Sequence, residues 1–141
     1  MSERQRVSSG TPWEGKVGYC RAIRVGNLVY IAGTTASDEQ GNVIAPGDVY
    51  AQTAYVLQKI GRALEEVGAR FEDVVRTRSF TTDISRWQDF GRAHGEIFSE
   101  IRPVSTLVEV RQLVDPAHLI EIEVDAVISE NEGRLKDVGG V

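Results

Sequence analysis

The chain has a single cysteine, Cys20, in 141 residues, so no internal disulfide can staple it. A lone thiol also fits a reducing compartment. No apolar run approaches the roughly 20 residues that a membrane-spanning helix needs. The polar start, MSERQRVSSG, has no apolar signal-peptide core. Positive charge is short as well: 16 Lys and Arg stand against 21 Asp and Glu, a net charge of −5. A dedicated nucleic-acid binder normally carries a basic footprint, so no nucleic acid is expected as a partner. No internal repeat or low-complexity segment is present. These absences lead to the expectation of a cytoplasmic globular protein with no membrane contact.

With 41% hydrophobic and 26% charged residues, the composition is that of an ordinary globular chain. Its length suits one domain able to bury roughly two-thirds of its unfolded surface. The pattern divides into a flexible N-terminal arm over 1–15, a single domain over 16–129 and a flexible polar tail over 130–141. Trp13 in the arm has no partner that the sequence can name.

Within the domain, VGYCRAIRV and LVYIAGTTA are separated by Gly26-Asn27, a two-residue hairpin signal. Gly33 interrupts the second of these runs. It reads either as a bulge, the reading favoured here, or as a place where a ligand or another backbone comes close. Asp48 is a candidate N-cap for an amphipathic helix with Val49, Thr53, Val56, Ile60, Leu64 and Val67 on one stripe, closed by Gly68. The stretch DVVRTRSFT is a third strand, with Val74, Arg76, Arg78 and Phe80 on one face and Val75, Thr77, Ser79 and Thr81 on the other. Ser85 followed by Gln88 reads as a capping box opening a second helix, whose stripe is Trp87, Phe90, His94, Ile97 and Ile101. That helix must end before Pro103.

Two strands complete the domain in Pro103–Ile128. The last one alternates strictly: Ile120, Ile122, Val124 and Ala126 on one face, and Glu121, Glu123 and Asp125 on the other. Carboxylates on a covered face need partners, because unpaired buried charge is costly. The element order β-β-α-β-α-β-β predicts an α+β fold, one sheet covered on one face by two helices. The other face stays bare in a monomer and favours coverage by a further copy of the chain.

The pieces Gly18-Tyr19-Cys20, GNLVYIAGT, the Gln52-bearing helix and LEEVGA resemble, in order and spacing, the Rid family, also called YjgF-like or reactive-intermediate deaminase. The match continues through DVVRTRSFTTDI, the Phe90–Phe98 helix and PVSTLVEV to IEIE, over roughly residues 17–128. The resemblance implies a chorismate-mutase-like fold with a mixed sheet, a homotrimer with small-molecule ligand clefts between subunits, and hydrolysis of reactive imines and enamines without a cofactor. It also implies an arginine and a cysteine where this chain has Ser105 and Leu107. A serine cannot pair ionically with a substrate carboxylate, so the chain resembles an arginine-lacking subgroup, and the usual 2-imino acid is not the expected substrate.

By the same resemblance, Glu121 corresponds to the glutamate that orients water, Tyr19 to a cleft tyrosine and Gly33 to a glycine whose backbone touches ligand. Ser105 or Thr106 would line the cleft as hydroxyl donors. For Arg76 and Arg78 two readings stay open: ion pairs with Glu121 and Glu123, or a substitute anchor for an anionic ligand. His94 is either a hydrogen-bonded core histidine or an acid/base near neutral pH. Cys20 reads as a small buried hydrophobe. His94, His118 and Cys20 lack metal-ligand spacing, so no metal is expected. Three functions compete: a deaminase-type hydrolase, a non-catalytic trimeric ligand-binding or chaperone-like protein, and a ribonuclease. The negative charge disfavours the last.

Overall fold

The computed structural model describes residues 3–129; the tail expected over 130–141 lies outside the described residues. The elements run β1 (Arg4–Val7), α1 (Pro12–Val17), β2 (Ala22–Val25), β3 (Leu28–Thr35), α2 (Val49–Glu66), β4 (Val74–Thr81), α3 (Trp87–Phe98), β5 (Val104–Glu109) and β6 (Ile120–Val127). Six strands form one sheet in the order β1-β2-β3-β6-β4-β5, with only β4 and β5 parallel. A parallel neighbour requires a crossover, which α3 supplies. The expected α+β fold with one mixed sheet and two covering helices is what the chain adopts.

The stretch read as a flexible arm carries two elements instead. Backbone pairing of Arg4 to Val25 through Val7 to Ala22 adds β1 as an edge strand. After it, Ser9 and Thr11 hydrogen-bond to the buried Glu14 carboxylate of α1. Burial would raise the Glu14 carboxyl, but the hydrogen bonds from Ser9 and Ser8 and the charge of Arg21 together leave the group below the usual range. These interactions lie between residues close in sequence with no apolar periodicity, and so left no pattern to read.

Helix α2 starts as its sequence implies, with the Asp48 side chain accepting from the Ala51 N–H at 3.0 Å. It ends in a Schellman motif: Gly68, at φ 80°, donates to the Glu65 carbonyl and Ala69 to that of Leu64. Its stripe of Val49, Val56, Leu57, Ile60 and Leu64 is fully buried against Ile120, Ile122 and Val124 of β6 and Val29 and Ile31 of β3. The capping box at Ser85 does not form. Asp83 caps a short 3-10 turn over Ile84–Arg86 instead, accepting from the Ser85 N–H, and α3 begins only at Trp87. Trp87 therefore stands outside the apolar stripe, exposed to 55%.

Two irregularities set which side chains face which way. A register shift between Ile31 and Thr34 places a bulge at Ala32-Gly33 in β3, as the glycine suggested. A second shift between Val74 and Arg76 turns Val74 into the core together with Thr77, Ser79 and Thr81. The helix-covered face of β4 is thus a row of hydroxyls, and Arg76, Arg78 and Phe80 take the open face.

Candidate functional site

Strand β6 sits at the centre of the open face and delivers its three carboxylates there at two-residue spacing. Cross-strand register then assigns each a neighbour. Asp125 lies between Tyr30 of β3 and Arg76 of β4; Glu123 lies beside Arg78; Glu121 lies between Thr35 and Phe80. Of the expected pairs, Arg78 does meet Glu123, whereas Arg76 meets Asp125 and, among the described residues, no arginine pairs with Glu121. Arg78 Nη1 is 2.9 Å from Glu123 and 3.7 Å from Asp125, and Arg76 Nε is 3.8 Å from Asp125. These pairs belong to a register that runs unbroken from Arg76–Asp125 to Thr81–Ile120, with the shift at Val74 just outside it. Thr106 stands next to Arg78 on the same open face. A shallow concavity of about 300 Å3 covers this ion-paired region, lined by Cys20, Ile23, Tyr30, Arg78, Glu123 and Asp125 among others.

Glu121 is left without an arginine opposite and has a different environment. Its carboxylate lies over Gly33, so close that a Cβ at that position would overlap Oε2. Arg21 closes the other side: its Nη1 donates to the Gly33 carbonyl and to Thr34 Oγ1, both at 2.9 Å. Tyr19 lies beside this guanidinium, with its ring centroid 5.8 Å from Arg21 Cζ. Burial pushes the Glu121 carboxyl above the usual range; Arg21 opposes this and Glu123 adds to it. A carboxyl raised in this way stays protonated at higher pH than a free glutamate, so more of it is available as an acid near neutrality, and its carboxylate is the stronger base. Arg21 was not a sequence candidate. Its role depends on the bulge that turns the Gly33 carbonyl towards it, and no local pattern announces that.

His94 and Ser105 belong to a separate group on the helix-covered face. His94 Nε2 is 2.9 Å from Thr77 Oγ1, which is 2.8 Å from Ser105 Oγ. The imidazole lies between Phe90 and Phe98, with centroids 5.2 and 4.7 Å away, and burial lowers its pKa. Thr77 is fully buried and Ser105 is exposed on edge strand β5. The hydroxyl-bearing face of β4 was legible in the sequence, but its junction with His94 was not. Leu107, two residues on from Ser105, packs against the core.

A third polar group holds the loops at the end of the sheet. Lys59 Nζ donates to the carbonyls of Thr35 and Ser37 at 2.7 and 2.9 Å, and Ser37 Oγ is 2.7 Å from His118 Nε2. Burial lowers Lys59 to about 8, with Arg21 and Arg62 adding to the effect. Gln52 ties the same region to α2 through the Ala117 carbonyl and the Leu119 N–H. Among the described residues no cluster of three or more His, Cys, Asp or Glu side chains could hold a metal ion. None of the described helices is long and apolar enough to cross a membrane.

Fold and site together define a class: an α+β domain with one sheet, helices on one side, and a raised carboxyl beside an arginine on the other. The family model described as endoribonuclease L-PSP matches residues 13–128, and the chain belongs to that family, which includes the YjgF-like, RutC and Rid proteins. A solved member of the YjgF/YER057c/UK114 family from Mycobacterium tuberculosis is 48% identical, with a TM-score of 0.82 over 89% of this chain and 100% of that one. The 3-aminoacrylate deaminase RutC of Acinetobacter baylyi is 36% identical over 104 residues, 74% of this chain and 82% of the relative. RidA from the Antarctic bacterium Psychrobacter sp. superposes with a TM-score of 0.73 at 28% identity, covering 79% of this chain and 89% of that one.

Proposed function

We propose that the chain is a hydrolase of reactive C–N bonds that converts a small imine or enamine to its carbonyl product and ammonia in a cleft between subunits of a homotrimer. The observation that carries this reading is the Glu121 carboxyl, raised by burial and seated between Gly33 and Arg21. The protonated carboxyl gives its proton to the imine nitrogen or, for an enamine, to the carbon that becomes the imine's neighbour. Water then attacks the iminium carbon while the carboxylate takes the water's proton. Transfer of that proton to the nitrogen of the carbinolamine allows the C–N bond to break; ammonia leaves as the carbonyl forms, and the hydroxyl proton returns to the carboxylate. One carboxyl serves every step. The deaminase named among the relatives acts on an enamine, which supports this reaction class. Tyr19, on the rim beside Arg21, would orient the substrate.

The open face favours a second copy as its cover. Leu28, Tyr30, Val104, Val108 and Val127 expose between 43% and 60% of their surface there, beside half-buried charges. Glu121 and Ser105 also project from opposite faces, with β4 between their strands. A small substrate that touches both must therefore take them from two copies. The endoribonuclease description of the family is not carried to this chain: its net charge is −5, and carboxylates line the centre of its open face.

A second reading, a trimeric binding protein without turnover, rests on Ser105 and on the engagement of Arg76 and Arg78 by Asp125 and Glu123, which occupies the arginines that could anchor a carboxylate. Ammonia release from freshly generated imines, with and without a carboxylate, separates the two. Release above the buffer rate supports the hydrolase. Tight binding of a metabolite with no release from either imine would establish the second reading.

A further inference from the structure

The hydroxyl chain from His94 through Thr77 to Ser105 is not needed to hold the sheet together, since β4 and β5 are already paired by their backbones. It nevertheless connects a half-buried ring to an exposed hydroxyl on an edge strand through two good hydrogen bonds, 2.9 and 2.8 Å. The chain can run in either direction. With a proton on Nε2, the imidazole donates to Thr77, Thr77 donates to Ser105, and Ser105 offers its own hydrogen outward. With the proton on Nδ1, every bond reverses and Ser105 offers a lone pair. No member of the chain carries a formal charge while His94 is neutral, and its burial between Phe90 and Phe98 favours the neutral ring. The arginines of β4 stand on the opposite face and are held by Glu123 and Asp125.

We infer that Ser105, backed by Thr77 and His94, forms a subsite for an uncharged hydrogen-bonding group of the substrate, a carboxamide or comparable carbonyl, in preference to a carboxylate. This deepens the hydrolase reading above and rests on it. A carboxamide presents both a carbonyl acceptor and an N–H donor, and a hydroxyl that can reverse its direction serves either. A carboxylate offers acceptors only and loses its hydration without gaining a cation in return, which makes its transfer to such a site costly. Thr77 is then a positioning residue: it fixes the direction of the Ser105 hydroxyl without touching the ligand.

The test is calorimetric binding of pyruvamide and pyruvate, the carbonyl products of a 2-imino amide and a 2-imino acid, to the wild-type protein and to Thr77→Val and Thr77→Ser. Pyruvamide should bind about tenfold more tightly than pyruvate, the size expected of one or two well-made hydrogen bonds. Thr77→Val, similar in shape but without the hydroxyl, should bring the ratio near one, and Thr77→Ser should restore it. A merely structural Thr77 would lower stability in Thr77→Val and leave the ratio unchanged. Equal or tighter pyruvate binding, no binding of either probe, or a ratio indifferent to Thr77→Val each overturns the subsite. Ammonia release from freshly generated imines on the same samples reports on the hydrolase separately: release without amide preference rejects only the subsite, and amide preference without release rejects only the hydrolase.

Discussion

Glu121 and Gly33 act as one unit, because the carboxylate occupies the space a side chain at position 33 would need. Gly33→Ala should therefore displace the carboxylate while leaving the fold intact. A shift on the order of 1 Å at a reacting group can cost about a hundredfold in rate. The expected result is a large fall in kcat, measured by ammonia release, with the circular dichroism spectrum unchanged. The raised carboxyl also makes a statement about stability. Its folded-state pKa lies above the unfolded value near 4.5, so its contribution is fully present below that pH and is lost as pH rises through the folded value. Glu121→Gln carries no charge to desolvate. Its urea midpoint should rise relative to the wild type as pH is raised from 4.5 to neutrality, and a gap that stays constant over that range contradicts the burial account.

Among the elements, α2 shows how closely capping signals specify a helix. Asp48→Ala removes the acceptor for the Ala51 N–H and should cost about 1 kcal/mol in urea unfolding, with kcat/KM for the imine unchanged. Asp48 and Gly68 were legible because a cap depends on residues a few positions away. The alternation of β6 was equally plain, since period two needs no partner to be seen, and it placed Glu121, Glu123 and Asp125 on one face correctly. The register between β4 and β6 was hidden. The unbroken pairing from Arg76–Asp125 to Thr81–Ile120 decides which arginine meets which carboxylate, and it follows from packing across the whole sheet. Arg21 and Thr77 were missed because their partners are set by the folded chain: the bulge in β3 for Arg21, and α3 with β5 for Thr77. Strand β1 was missed because RQRV has no alternation of apolar and polar residues, and only its backbone joins the sheet.

At the scale of the whole molecule, the sheet has one finished face and one unfinished one. The helices bury the apolar side of β6, whereas Tyr30, Val104 and Val108 remain exposed around a centre of paired charges on the other. The proposed trimer resolves this by covering the open face, and sedimentation of the purified protein should give the mass of three chains. Tyr30→Arg places a further cation in the centre of that face and should shift the population towards monomer; a wild-type protein that sediments as a monomer contradicts the intersubunit cleft. In such an assembly Glu121 works where one copy's open face meets another copy's Ser105 edge, so catalysis and assembly should be lost together in Tyr30→Arg.

The central claim, that Glu121 performs proton transfer in C–N hydrolysis, is tested most directly by ammonia release from a freshly generated imine by the wild type and by Glu121→Gln, with both confirmed folded and in the same oligomeric state. The account predicts that the glutamine variant loses at least about a hundredfold in kcat, the lower range for removal of a general acid/base. Equal rates in the two proteins would contradict it.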